Sequence, residues 1–120
     1  MKGLKIKQPW IGLILTGEKT MEVRSQKHDF LNQTIALGNS DTKQVEGYAY
    51  CYEIVEIPMR KLDEFEKEHR ATEELRKFYK NKNSVYGFRL KKIIVESNPY
   101  PYPKNASNRF NVERNVRDCQ

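Results

Sequence analysis

Polar and apolar residues alternate near the start of the chain, in Leu4-Lys5-Ile6-Lys7-Gln8, which predicts a first strand with Leu4, Ile6 and Gln8 on one face. Proline is tolerated in the first turn of a helix, so Pro9 can begin one, and Trp10, Ile11, Leu13, Ile14 and Leu15 give it a heavily apolar surface. Gly17 supplies the left-handed residue that ends it. From Thr20 the period becomes two: Met21 and Val23 face one way and Thr20, Glu22 and Arg24 the other, in a strand ending near Ser25. Residues 26–33 are polar around the single pair Phe30-Leu31 and read as a loop pinned to the core. Thr34 to Gly38 is a third strand, followed by a turn at Asn39 to Thr42.

Val45 to Ile57 is the longest β-like run, ended by Pro58. Strict alternation puts Tyr48, Tyr50, Tyr52 and Ile54 on one face and Ala49, Cys51, Val55 and Ile57 on the other. Both faces therefore need cover, as in a closed or nearly closed barrel. The three tyrosines allow a stacking platform, although a core-facing aromatic ladder is the commoner use. Asp63 with Glu66 three residues on matches a capping box for a short helix to His69, and a second helix runs from Thr72 to about Lys80. Val85 to Glu96 returns to strand, interrupted at Lys91-Lys92 as by a bulge. Asn98 to Pro103 is an extended crossing segment, and Arg109 to Glu113 closes the barrel. Residues 1–113 thus form one domain, and 114–120 are expected to be a mobile tail.

With 120 residues the chain has material for a single core, and 32% charged residues leave much of it at the surface, which fits a thin-cored β-barrel or α+β unit. The longest apolar run, from Pro9 to Leu15, falls far short of the roughly 20 residues that span a bilayer. No membrane span or signal peptide is expected, and the reading is of an intracellular, cytoplasmic protein. Cys51, Cys119, His28 and His69 are too scattered for a disulfide framework or a zinc site. No metal or cofactor is expected, nor any oligomer beyond a monomer.

The net charge of +6 suits a polyanion, and its distribution sharpens the point. Arg76, Lys77, Lys80, Lys82, Arg89, Lys91 and Lys92 fall in a stretch without an acid, interleaved with Phe78, Tyr79, Tyr86 and Phe88. Rings stack on bases while cations track phosphates. From Glu53 to Glu74 acids dominate instead.

Three motifs in order, Leu4-x-Ile6-x-Gln8-Pro9-Trp10, Gly17-x-Lys19-x-x-Glu22-x-Arg24 and Tyr86-Gly87-Phe88, resemble the ASCH family of the PUA-like superfamily. The likeness covers about residues 3 to 113. It implies a mainly β fold with short helices, an α+β unit: a bent barrel of five or six strands, a helix after strand one and two short helices before the late strands. It also implies association with RNA or DNA, and in some members enzymatic action on modified nucleosides or RNA. Carried over by position, Lys19, Glu22 and Arg24 line a cleft with Gln8 and Trp10 at its mouth. One branch, the acetylcytidine amidohydrolases, uses a lysine, a threonine and a glutamate. Lys19 matches the lysine, Glu22 stands where the threonine would fall, and Glu68, Glu73 and Glu74 are alternatives for the glutamate.

Lys19 could act as a general base only if its pKa fell from about 10.4 toward neutrality. Glu22 beside it is expected to favour the ammonium form, which makes Lys19 a binding cation. Glu22 could itself be the base, with Lys19 or Arg24 stabilising an oxyanion. The trio could equally be a buried salt-bridge network that holds the helix to the barrel. The favoured reading is an RNA- or nucleotide-binding cleft served by Gln8, Trp10, Lys19, Glu22, Arg24, Tyr86 and Arg89. A hydrolase with Lys19 and Glu22 as its catalytic pair comes second, and a module whose acidic helices at 63–74 meet a protein partner third.

Overall fold

The alternating segments pair into one six-stranded sheet in a computed structural model that describes residues 1–104 and 107–113. The strands are β1 (Lys2–Ile6), β2 (Met21–Arg24), β3 (Gln33–Asn39), β4 (Gln44–Pro58), β5 (Ser84–Pro101) and β6 (Arg109–Asn111), in the spatial order β2-β5-β4-β3-β1-β6. All neighbours are antiparallel except β1 and β3. The tail expected at 114–120 lies outside the described residues. No helix among the described residues is long and apolar enough to cross a membrane.

β4 and β5 form the spine. Their ladder shifts register at three places, between Val45 and Gly47, Tyr48 and Tyr50, and Cys51 and Glu53. The first shift adds three residues on β5, the second one on β5 and the third one on β4, and each bends the pair and changes which side chains share a face. One bulge sits where the sequence places it, with Lys92 at φ 53°. Ile54, expected beside the tyrosines, instead packs with the cluster of Ala49 and Cys51, because the shift after Cys51 inverts the alternation. The tyrosines are not one ladder: Tyr48 is buried, Tyr50 half-buried and Tyr52 exposed.

The bent spine serves three apolar clusters. Leu4, Ile6, Ile11, Ile14, Phe30, Phe88 and Leu90 fill the barrel. Tyr48, Tyr102, Phe110 and Val45 pack at one end, and Met21, Val23, Ile57, Leu62 and Val85 pack under the helical segment. That segment is a 3-10 helix, Met59–Phe65, followed by α2 (Glu66–His69) and α3 (Thr72–Phe78). The capping box does not form, because Asp63 falls inside the 3-10 turn. Its carboxylate meets Arg76 at 3.1 Å, while Glu66 Oε1 accepts from the Thr72 amide at 3.0 Å and so caps α3 instead.

The first helix, α1 (Trp10–Leu15), follows Pro9, and Gly17 at φ 86° donates its amide to the Ile14 carbonyl at 3.0 Å. Lys19 N then donates to Leu13 O, also a chain-reversing bond, and β2 begins. β2 pairs with β5 alone. On its open side the Arg24 guanidinium reaches the Lys5 carbonyl of β1 at 2.5 Å, although β1 pairs only with β3 and β6 and shares no rung with β2 among the described residues.

Candidate functional site

Alternation along β2 puts Glu22 and Arg24 on one face, and their side chains meet: Arg24 Nε donates to Glu22 Oε2 at 2.9 Å. Lys19 approaches the other carboxylate oxygen at 3.5 Å, donates a short hydrogen bond to the His69 carbonyl, and lies 5.5 Å from the centre of the Trp10 ring. The trio named by the sequence is therefore one cluster. Lys19 and Glu22 are nevertheless 2% and 8% exposed, with their charges satisfied inside the protein.

Burial reverses the expected titration of Lys19. Its pKa is lowered, first by desolvation of the ammonium, which outweighs the opposing pull of Glu22. The adjacency of Glu22 was legible in the sequence, but the depth was not.

The other motif residues sit around this cluster in different roles. Gln8 Oε1 accepts from the Gly12 amide at 3.3 Å and its own amide donates to Asp41, so Gln8 caps α1. Tyr86 pairs across the ladder with Arg24 and packs against the barrel core. Arg89 lies on the opposite face of β5 from Tyr86 and Phe88, above the Phe65 ring. Its guanidinium is held by both Glu68 oxygens, at 2.8 and 3.1 Å, and by Glu53 at 2.8 Å. These partners raise its pKa still further, Glu68 foremost. Among the acids left open by spacing, Glu68 is thus committed to Arg89, and its carbonyl accepts from Thr20 N at 2.9 Å. Glu73 and Glu74 are exposed in the first turn of α3. The acidic and basic halves of the chain interlock through Asp63–Arg76, Glu53–Arg89 and Glu68–Arg89.

Two features stand out on the surface. At the β5 bulge, Lys91 Nζ lies 4.8 Å from the Tyr52 ring centre and Lys92 Nζ 5.3 Å from that of Tyr50. Beside them, β3 stops pairing with β4 at the Gln33–Cys51 rung, and the incoming 27–32 segment leaves a cleft of about 630 Å³. Lys27, His28, Asp29, Asn32, Tyr52 and Glu53 contribute to its lining. His28 is stacked on Phe88, with ring centres 5.8 Å apart, and its pKa is lowered by burial and then by Arg109 and Arg24. Ile54, Phe88 and Glu22 occupy one rung across β4, β5 and β2, so the cleft lies two strand spacings, about 10 Å, from the buried trio. Sequence reasoning missed this cleft. Its one signal was the Phe30-Leu31 pair in an otherwise polar loop, since Phe30 is fully buried and anchors the wall.

Among the described residues no group of three or more His, Cys, Asp or Glu stands where it could hold a metal ion. Cys51 is buried, its thiol pushed up to about 11 by desolvation.

The bulged, six-stranded and mainly β architecture with short helices is consistent with a PUA-like fold. The chain belongs to the ASCH domain family, whose model matches residues 4–112. It is similar to the crystal structure of ASCH from Zymomonas mobilis, with 21% identity and a TM-score of 0.71 over 78% of this chain and 68% of that one. Two single-substitution variants of the Zymomonas protein, one serine to alanine and one tyrosine to phenylalanine, each give a TM-score of 0.75 at 21% identity. They cover 83% of this chain and 72% and 74% of theirs. At that identity the likeness shows the fold alone. No curated protein matches the chain.

Proposed function

We propose that this ASCH domain binds single-stranded RNA on the face formed by Tyr50, Tyr52, Lys91 and Lys92. The observation that carries the reading is the state of the two lysines. They ride over tyrosine rings, and among the described residues no carboxylate lies within ion-pair distance of either. Arg76 and Arg89, in the same basic stretch, are spent on internal carboxylates. Cations outside any ion pair, set beside surface rings, are what sequence-tolerant single-strand binding uses, the cations tracking phosphates and the rings stacking on bases as the lysines swing off them. In this reading Lys19, Glu22 and Arg24 are the internal frame that joins β2, α2 and β1, with Trp10 covering Lys19.

Titrating a labelled RNA octanucleotide at several salt concentrations tests the proposal. Each phosphate contact on a single strand contributes about 0.7 to the slope of log affinity against log salt, so replacing Lys91 and Lys92 together by alanine should lower the slope by about 1.4. Arg76→Ala should leave it nearly unchanged. An unaltered slope in the double variant would remove this face from the site.

A hydrolytic reading has one observation behind it, the lowered pKa of Lys19, which is the direction a general base needs. Incubation with N4-acetylcytidine and with RNA decides it, and intact substrate after prolonged incubation removes it.

A further inference from the structure

We infer that the cleft between the 27–32 segment and Tyr52–Ile54 receives one unpaired base and favours a base carrying an exocyclic amino group. The inference rests on the RNA reading and concerns the pocket beside that face. At about 630 Å³ the cleft lies within the roughly 300–1,000 Å³ range of ligand clefts. Its walls carry the rings of Tyr52 and His28, and Leu31, 45% exposed, stands at its rim.

The wall is preformed. Lys2 Nζ binds both the carbonyl and the carboxylate of Asp29, at 2.7 and 2.9 Å, and Gln33 Nε2 donates to the same carbonyl. Asn32 donates its amide to the Cys51 carbonyl at 2.8 Å. A fixed wall spares a ligand the ordering cost of a loose loop.

The charges inside the cleft decide what fits. Asp29 and Glu53 line it beside Lys27, and an amino group finds carboxylate acceptors there. Arg89 engages Oε1 of Glu53 and Lys2 engages Oδ2 of Asp29. A carboxylate has about four acceptor positions, so both groups keep capacity. Phosphates belong outside, on Lys91 and Lys92, while the base turns inward. Unpaired bases splayed out and read on their edges are the usual basis of sequence-specific RNA recognition.

Cytosine and uracil make the cleanest test, because an amino group on one replaces a carbonyl on the other. Octacytidylate should bind about tenfold more tightly than octauridylate at one salt concentration. The ratio should fall toward one in the double variant Asp29→Asn, Glu53→Gln, whose fold is checked by its amide spectrum. Amides at 27–32 and 52–54 should shift with octacytidylate. Equal affinities for the two RNAs, or a ratio that survives the double substitution, would overturn the inference while leaving the RNA reading intact. Should the double variant not fold, the amide shifts of the unmodified protein decide, and their absence overturns it. Failure of both RNAs to bind would overturn the RNA reading and the inference together.

Discussion

Glu22 holds two cations at once, Lys19 through one oxygen and Arg24 through the other, at a depth where water cannot replace it. Removing one member of a buried charged set leaves the others uncompensated, typically at 3–5 kcal/mol. Glu22→Gln should therefore destabilise the domain by about 3 kcal/mol in urea denaturation, while affinity of the folded fraction for RNA changes less than twofold. A large loss of affinity at unchanged stability would return the trio to the binding site. The sequence reveals that these three residues converge, because alternation and the Gly17 turn are local rules. It cannot reveal that Lys19 is sealed beneath the His69 carbonyl, a partner fifty residues away. The direction of the Lys19 pKa follows from that non-local contact.

At the scale of elements, the strands were legible, but the phase of β4 beyond Cys51 was not. The Lys91-Lys92 bulge announces itself by breaking alternation, whereas the shift after Cys51 hides in a run that alternates on either reading and so misplaces Ile54. Both short helices stand where the sequence places them, but their cap does not: an acid followed by a glutamate satisfies the capping pattern, whereas Glu66 serves the next helix. What fastens α2 to its neighbours is His69, fully buried, its Nε2 donating to the Leu62 carbonyl at 2.8 Å and its Nδ1 accepting from the Ala71 amide at 2.9 Å. Both nitrogens are used by the neutral ring, and burial foremost lowers its pKa below 6.5, with nearby Lys19 acting the same way and the Leu62 carbonyl, Glu66 and Glu68 opposing. The unfolded chain thus takes up the proton first. His69 contributes its full stability above about pH 6.5 and loses it as pH falls from there toward the lower folded value. His28 acts in the same direction, so urea midpoints at pH 7.5 and 5 are best read with ring nitrogen spectra. Those should show His69 titrating below 6.5, with Nε2 carrying the proton of the neutral ring. A His69 ring that titrates near 6.5 in the folded protein would contradict this.

For the whole molecule, the charge of +6 is less important than where it is left over. Interlocked acids and bases tie the helical segment together and to the spine, while the bulge lysines lie over tyrosine rings instead of in ion pairs. The architecture has a mechanical side as well. Among the described residues the strand pairing holds no rung between β1 and β2, and Arg24 reaches across that gap to the Lys5 carbonyl. The barrel is thus a clasped band rather than a welded hoop. Local opening should begin at the clasp, where few backbone bonds must break. Arg24→Met should accelerate hydrogen exchange in β2 well before it affects the β4–β5 spine. A domain built this way can loosen on one side without coming apart, and the strand freed first is the one that carries Glu22, the counter-charge on which Lys19 depends.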